Sequence, residues 1–293
     1  MIGDERVAVK TVGELVLEGT NSLQRLRGTD PALEARVLLL NCASLTEHDF
    51  LASPDRAVPR TVENRYLKLI QKRLDRWPLA YLTGEQEFWS LPLTVFPGVF
   101  IPRPETELLV ERVMALSSGQ KEIIAEIGTG SGALAIALAK ELPRAHIVAS
   151  DISRKAIRAA KLNASRHKIS SVTVVQGSLF EPLRSLSLKG RLHFIVSNPP
   201  YVSEKDWRLC QPEIRAHEPK RALVPGKNGH EFIGRLIQSA AEYLRPLGYL
   251  IFEIGEGQAD RVRSLLGDRW RSIKITNDLG GIPRVVECRK GEM

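Results

Sequence analysis

The chain is poor in cysteine: 293 residues hold only Cys42, Cys210 and Cys288, far apart and without a Cys-x-x-Cys pair. That spacing excludes a disulfide framework and offers no zinc-ligand cluster. Long apolar runs are also missing. None approaches the roughly 18 residues of a membrane-spanning helix, and the opening MIGDERVAVK is charged, without the apolar core of a secretory signal. A cytoplasmic protein is the expectation. There is no internal repeat, no low-complexity segment and no run of five or more basic residues. The net charge of +8 permits a nucleic-acid or acidic-protein partner, but the Lys and Arg behind it are spread along the chain.

What is present divides in two. The first eighty-odd residues read as helical. Thr11 to Glu14 fits a capping box, Asp30-Pro31 fits an N-cap followed by proline at the first helical position, and Val62, Tyr66, Ile70 and Leu74 recur every four residues as one helical stripe. Pro78 is expected to close that last helix. No catalytic cluster appears in this part. Residues 87–102, EFWSLPLTVFPGVFIP, carry aromatic and β-branched residues around Pro92 and Pro97-Gly98, which suggests a short hairpin or extended connector.

From residue 123 strand and helix patterns alternate: IIAEIG, HIVASD, SVTVVQG, RLHFIVSN and GYLIFEIG read as strands with helices between, and SIKITNDL and RVVECRK follow with only GGIP joining them. Alternation implies an α/β fold whose mostly parallel sheet is covered on both faces. The last two strands should be antiparallel, since so short a link cannot make a parallel crossover. The organisation expected is a helical domain over 1–85, a connector over 86–102 and the sheet domain over 103–293.

Two stretches carry chemistry. The first is EIGTGSG, Glu126 to Gly132, at a strand-to-helix turn. Gly128, Gly130 and Gly132 would let the backbone turn tightly and approach a ligand, with Thr129 and Ser131 between them. In open α/β sheets such a turn lies at the carboxyl ends of the strands, where ligands bind. The next strand ends in Asp151, placed to accept hydrogen bonds from both hydroxyls of a ribose; the bland alternative makes Asp151 a helix cap. Loop and acid together point to a nucleoside cofactor. Glu126 would repel a pyrophosphate but suits a cation, which favours S-adenosylmethionine, with its sulfonium and ammonium, over a dinucleotide. An echo, EIGEG at 253–257, lacks the third glycine and the following acid and reads as a structural turn.

The second stretch is IVSNPPY, residues 195–201, where a buried strand ends against two prolines. Asn198 offers a side-chain carbonyl, the Pro199-Pro200 turn stiffens the loop and leaves a backbone carbonyl fixed, and Tyr201 offers a flat face to a planar amide or base. Two fixed acceptors can hold both hydrogens of an NH2 group. They would stabilise the positive charge that grows as a planar nitrogen is methylated, which is electrostatic preorganisation.

NPPY after a glycine loop resembles the class I S-adenosylmethionine-dependent methyltransferases that act on amide or exocyclic amino nitrogens. The resemblance narrows with PLAYLTGEQEFWSLPLTVFPGVFIPRPETELLVE at 78–111, together with EIGTGSGALAIALA, YLIFEIGEGQ and DLGGIPRVV. These segments resemble the bacterial peptide-chain release factor glutamine methyltransferases of the HemK/PrmC type. The resemblance implies a seven-stranded Rossmann-like methyltransferase sheet behind a small all-helical N-terminal domain that contacts the protein substrate. The implied activity is N5-methylation of the glutamine in the Gly-Gly-Gln motif of class I release factors. It also implies that Gly128 to Gly132 line the methionine part of the cofactor, that Asp151 holds the ribose, that Leu179 lies near the adenine, and that Asn198 to Tyr201 receive the glutamine. Phe100 and the IPRPETE segment would cover the cofactor. Ser178 stands where many members carry Asp. The rival reading is an amino-methyltransferase acting on adenine or guanine of DNA or RNA, which shares the same site chemistry. No metal is expected.

Overall fold

The computed structural model describes residues 9–292; residues 1–8, most of the charged opening, and residue 293 lie outside the described part. The chain forms two compact units.

The first unit is helical: α1 (Val12–Leu23), α2 (Pro31–Ala43), α3 (Glu47–Ala52), α4 (Arg60–Leu74) and α5 (Leu79–Thr83). The local signals act as expected. Thr11 and Glu14 close a reciprocal capping box on α1, and the Asp30 carboxylate accepts from the backbone N–H groups of Ala32 and Leu33 at the start of α2. The stripe of α4 brings Tyr66 and Ile70 into a core with Leu15, Leu23, Leu38 and Leu39, where the Tyr66 hydroxyl donates to the Leu15 carbonyl at 3.1 Å. One expectation is corrected. Helix α4 ends at Leu74, before Pro78. Arg76 turns the chain with φ +65°, and Pro78 precedes α5 as its N-cap, a position that needs no N–H from it.

The second unit opens with an antiparallel hairpin, β1 (Glu85–Phe88) and β2 (Leu91–Thr94). There follow α6 (Glu107–Leu116), β3 (Ile123–Ile127), α7 (Ala133–Glu141), β4 (His146–Asp151), α8 (Arg154–Arg166), β5 (Val172–Gln176), α9 (Glu181–Ser185), β6 (Leu192–Ser197), α10 (Glu204–Trp207), α11 (Pro212–His217), α12 (Glu231–Tyr243), β7 (Leu244–Glu253), α13 (Ala259–Leu265), β8 (Trp270–Asn277) and β9 (Pro283–Lys290). Seven strands form one sheet in the order β5-β4-β3-β6-β7-β9-β8. All neighbours are parallel except β9, which runs antiparallel to both β7 and β8. Alternate residues of the central strands β3, β6 and β7 enter opposite cores. Ile124, Phe194, Val196 and Ile251 pack with α6 and α7 on one face; Ala125, Ile195, Leu250 and Phe252 pack with α12 and α13 on the other. Burial on both faces explains why these strands read as continuous apolar runs. Strand order reverses between β3 and β6, so the glycine turn after β3 and the NPPY turn after β6 emerge side by side at the sheet's carboxyl edge.

Helix α11 clusters with the first unit although it lies between segments of the second in the chain. Its Glu213 accepts from Arg73 at 3.2 Å and from Arg76 at 3.1 Å, while Glu34 holds the Arg73 guanidinium in a two-bond fork at 2.8 and 3.0 Å. Arg73 is 4% exposed, so both carboxylates are needed to offset the desolvation of its charge.

Candidate active site

A cavity of about 510 Å3 opens at the carboxyl edge of the sheet, lined by Gly128, Gly130, Asp151, Leu179, Asn198 and Thr106 among others. The glycine turn is built from β3. The backbone N–H groups of Gly128 and Thr129 both donate to the Ser150 carbonyl, at 2.8 and 2.9 Å, which folds the turn over the end of β4. Gly128 and Gly130 have φ of +80° and +56°, and a Cβ on either would meet no protein atom within 4 Å. They form an open cradle for a ligand. Gly132 differs: with φ +85°, an added Cβ would lie 3.0 Å from the Ala160 Cα. It does not line the cavity but lets α7 pack closely on α8. Thr129 and Ser131 are buried cavity residues. The Thr129 hydroxyl donates to Glu126 at 2.6 Å and the Ser131 carbonyl accepts from Asn163 at 2.9 Å.

Glu126 lines the cavity floor. Its Oε2 also accepts from the Ala135 N–H at 3.1 Å, and burial pushes its carboxyl up to about 8. A cation bound beside it would favour the ionised form and draw that value down. Asp151 is not the cap of α8, since Ser153 performs that function. Instead its Oδ2 accepts from the Gly130 N–H at 3.0 Å and its Oδ1 from the Ser153 N–H at 2.8 Å. A carboxylate has about four lone-pair sites, so each oxygen retains capacity for a ribose hydroxyl. Burial raises its carboxyl above the ordinary range despite these bonds. Leu179 takes a left-handed backbone, φ +48°, and with Ser178 forms part of the wall. Phe100 and Pro102 form another part. The Arg103 guanidinium lies over the Phe100 ring, 5.0 Å from its centroid, and pairs with Glu218, which also accepts from the Ile101 N–H at 3.4 Å.

The NPPY turn is split by the structure. Asn198 and Pro200 line the cavity; Pro199 and Tyr201 do not. Asn198 donates from Nδ2 to the Thr106 hydroxyl at 2.8 Å. The Tyr201 hydroxyl donates to Glu253 Oε1 at 2.8 Å, and burial beside that carboxylate raises its phenol well above the usual value. Glu253 also accepts from the Thr106 hydroxyl, through Oε2 at 2.7 Å, and burial pushes its carboxyl up to about 7. Thr106 and Glu253 were not singled out in the sequence; the signal that could have found Glu253 was the EIGEG echo. That turn also supports the NPPY loop, because Gln258 accepts from the Gly255 N–H and donates to the Tyr201 carbonyl, both at 2.9 Å.

The cavity fits S-adenosylmethionine on its own chemistry: an open glycine cradle, a buried carboxyl facing the cradle, and a second carboxylate at the neighbouring strand end for a ribose. Comparisons with known proteins agree. A family model described as the PrmC N-terminal domain matches residues 14–84, and one described as a methyltransferase small domain matches residues 94–226. A release factor glutamine methyltransferase of Coxiella burnetii is 38% identical over 263 residues, 89% of this chain and 92% of that protein. One of Vibrio cholerae is 37% identical over 279 residues, 94% and 95% of the two chains. A solved methyltransferase of Pyrococcus furiosus superposes with a TM-score of 0.50 at 18% identity, covering 78% of this chain and 99% of that one, a likeness of fold alone. With relatives this similar along nearly their whole length, the chain belongs to the release factor glutamine methyltransferase family.

Proposed function

We propose that the protein transfers a methyl group from S-adenosylmethionine to the side-chain amide nitrogen of the glutamine in the Gly-Gly-Gln motif of class I release factors. The observation that carries this is the placement of Asn198. It stands at the end of β6, beside the glycine turn of β3, with its amide nitrogen engaged by Thr106 and its carbonyl left to accept from a ligand in the cavity. When bound, the cofactor supplies a methyl group on a sulfonium, at once electrophile and leaving group. Asn198 Oδ1 and a backbone carbonyl of the Pro199-Pro200 turn would accept the two hydrogens of the glutamine NH2. These acceptors hold the nitrogen in line and stabilise the charge it gains as its lone pair leaves conjugation. The methylated nitrogen then loses a proton that its positive charge has made acidic, so a strong base need not touch it. Tyr201, anchored by Glu253, would brace the loop.

The helical unit would grip the release factor, consistent with the absence of chemistry in it. A protein substrate of the translation machinery would place the enzyme in the cytoplasm, and no helix among the described residues is long and apolar enough to cross a membrane. The rival reading, methylation of an adenine or guanine amino group, finds no support in the names of the relatives. The test is mass spectrometry after incubation with labelled S-adenosylmethionine and, separately, a class I release factor, the same factor with its Gly-Gly-Gln glutamine changed to alanine, and duplex DNA with ribosomal RNA. Label on the first alone is expected; label on nucleic acid alone would overturn the proposal.

A further inference from the structure

Behind the NPPY turn two buried side chains that the proposed chemistry does not itself use, Thr106 and Glu253, are hydrogen-bonded in series to Asn198. Glu253 is 0% exposed and Thr106 is 4% exposed. Both Glu253 oxygens accept hydrogen bonds, Oε2 from Thr106 and Oε1 from Tyr201. A threonine hydroxyl has one proton and two lone pairs. Its proton goes to Glu253, so toward Asn198 it can only accept. The Asn198 amide must then turn its NH2 toward Thr106, which it does at 2.8 Å. A flipped amide would set its oxygen against a lone pair with no donor between them, leaving two buried acceptors facing each other. With Glu253 ionised, the polarity of the chain runs one way, from a carboxylate that only accepts to an amide that is left with only its oxygen for the cavity.

We propose that Thr106 and Glu253 are positioning residues that set which end of the Asn198 amide faces the reacting nitrogen. The inference rests on the reading that Asn198 receives an NH2 group from the substrate. The two residues reach the site from distant segments: Thr106 from the turn before α6, Glu253 from the end of β7. Thr106 lines the cavity, but the role assigned to both residues is exerted through Asn198. Their effect is on the sign of the dipole presented to it, which decides between stabilising and opposing the charge that grows on the nitrogen.

The test has two arms. In the first, the side-chain NH2 of Asn198 is followed by NMR in the ligand-free protein, its signals assigned by their loss in Asn198→Asp. Slow hydrogen exchange of one of the two protons is expected in the wild type and in Thr106→Ser, and fast exchange in Thr106→Val. Fast exchange in the wild type itself, or unchanged protection in Thr106→Val, overturns the proposal; the wild-type measurement decides even where Thr106→Val does not fold. In the second arm, methyl transfer to the release factor is measured. Thr106→Val should lower kcat about tenfold or more, a part of the loss that follows removal of a direct stabilising group, while cofactor affinity holds and Thr106→Ser restores kcat. A loss equal in Thr106→Ser and Thr106→Val, or one confined to cofactor affinity, overturns it. If the wild type methylates no release factor, the functional reading falls on that result, and the exchange arm still decides the orientation of Asn198.

Discussion

The molecule contains one five-residue pattern twice, EIGTG at 126–130 and EIGEG at 253–257, each at the carboxyl end of a parallel strand. Both glutamates are buried and both carboxyls are raised by that burial. Their partners separate them. Glu126 is satisfied locally, by Thr129 and Ala135, three and nine residues away. Glu253 is satisfied by Thr106 and Tyr201, 147 and 52 residues away. The first glutamate therefore braces its own turn and leaves the turn's glycines to a ligand. The second fastens other segments, and what faces the ligand is the loop it fastens. A strand-end Glu-Ile-Gly is thus a rigid corner whose use is decided by what lies around it.

This division predicts a crossed pattern of effects. The largest is expected on the side the second turn supports: Asn198→Ala should lower turnover by about a hundredfold or more while cofactor affinity, measured by calorimetry, is kept. A turnover within about threefold of wild type would remove the amide-holding role. On the side of the first turn, Asp151→Ala should weaken cofactor binding by about tenfold or more, the worth of lost charge-assisted hydrogen bonds. Equal affinity would leave Asp151 as a brace for the backbone at Gly130 and Ser153.

Much of this comparison was legible in the sequence, and the part that was not has a physical reason. Strand and helix alternation, the capping box of α1, the glycine turn and its neighbouring acid are all patterns within about twenty residues of each other. Pleat, helical period and turn geometry write such patterns directly into the order of residues. Thr106, Asn198 and Glu253 meet only because the sheet places β6 beside β7 and the chain before α6 returns to the same edge. No spacing rule records a meeting of that kind. Tyr201 was expected to offer its flat face to a planar amide or base; its hydroxyl bonds to a buried carboxyl that lies far along the chain. Pro78 was read as the stop of a helix, when Arg76 in a left-handed conformation makes the turn and Pro78 opens the next helix.

The glycines of the two turns sharpen the contrast at a smaller scale. Gly257 has φ +75° with no atom within 4 Å of an added Cβ, so Gly257→Ala should cost only the left-handed strain of about 1–2 kcal/mol in chemical denaturation. Gly132→Ala carries the same strain and also presses on the backbone of α8, so it should cost at least about 1 kcal/mol more. Equal losses would deny the close packing of α7 on α8. The smallest effect is in pH dependence. Glu126 and Glu253 have folded values of about 8 and about 7 against an ordinary 4.5. The folded state therefore holds these protons more tightly than the unfolded chain does. Their contribution to stability is complete below the unfolded value and is lost as pH rises through the folded ones. The midpoint of thermal unfolding of the ligand-free protein should fall between about pH 5 and 8. Glu126→Gln should flatten the fall over its whole range and Glu253→Gln only its part below about pH 7; slopes parallel to wild type would show that neither carboxyl holds its proton.

The return of α11 to the helical unit has a consequence for how that unit can be made and exchanged. Glu213 is synthesised 140 residues after the Arg73 it pairs with. A nascent chain that has completed α1 to α5 has only one of the two carboxylates that hold the Arg73 guanidinium in the complete fold, and it waits in that state until β3 to β6 have been translated. The same holds for a gene fragment that ends at residue 84. A transplant of the helical unit between relatives must carry two separate pieces of coding sequence, and the second of them lies inside the gene for the sheet.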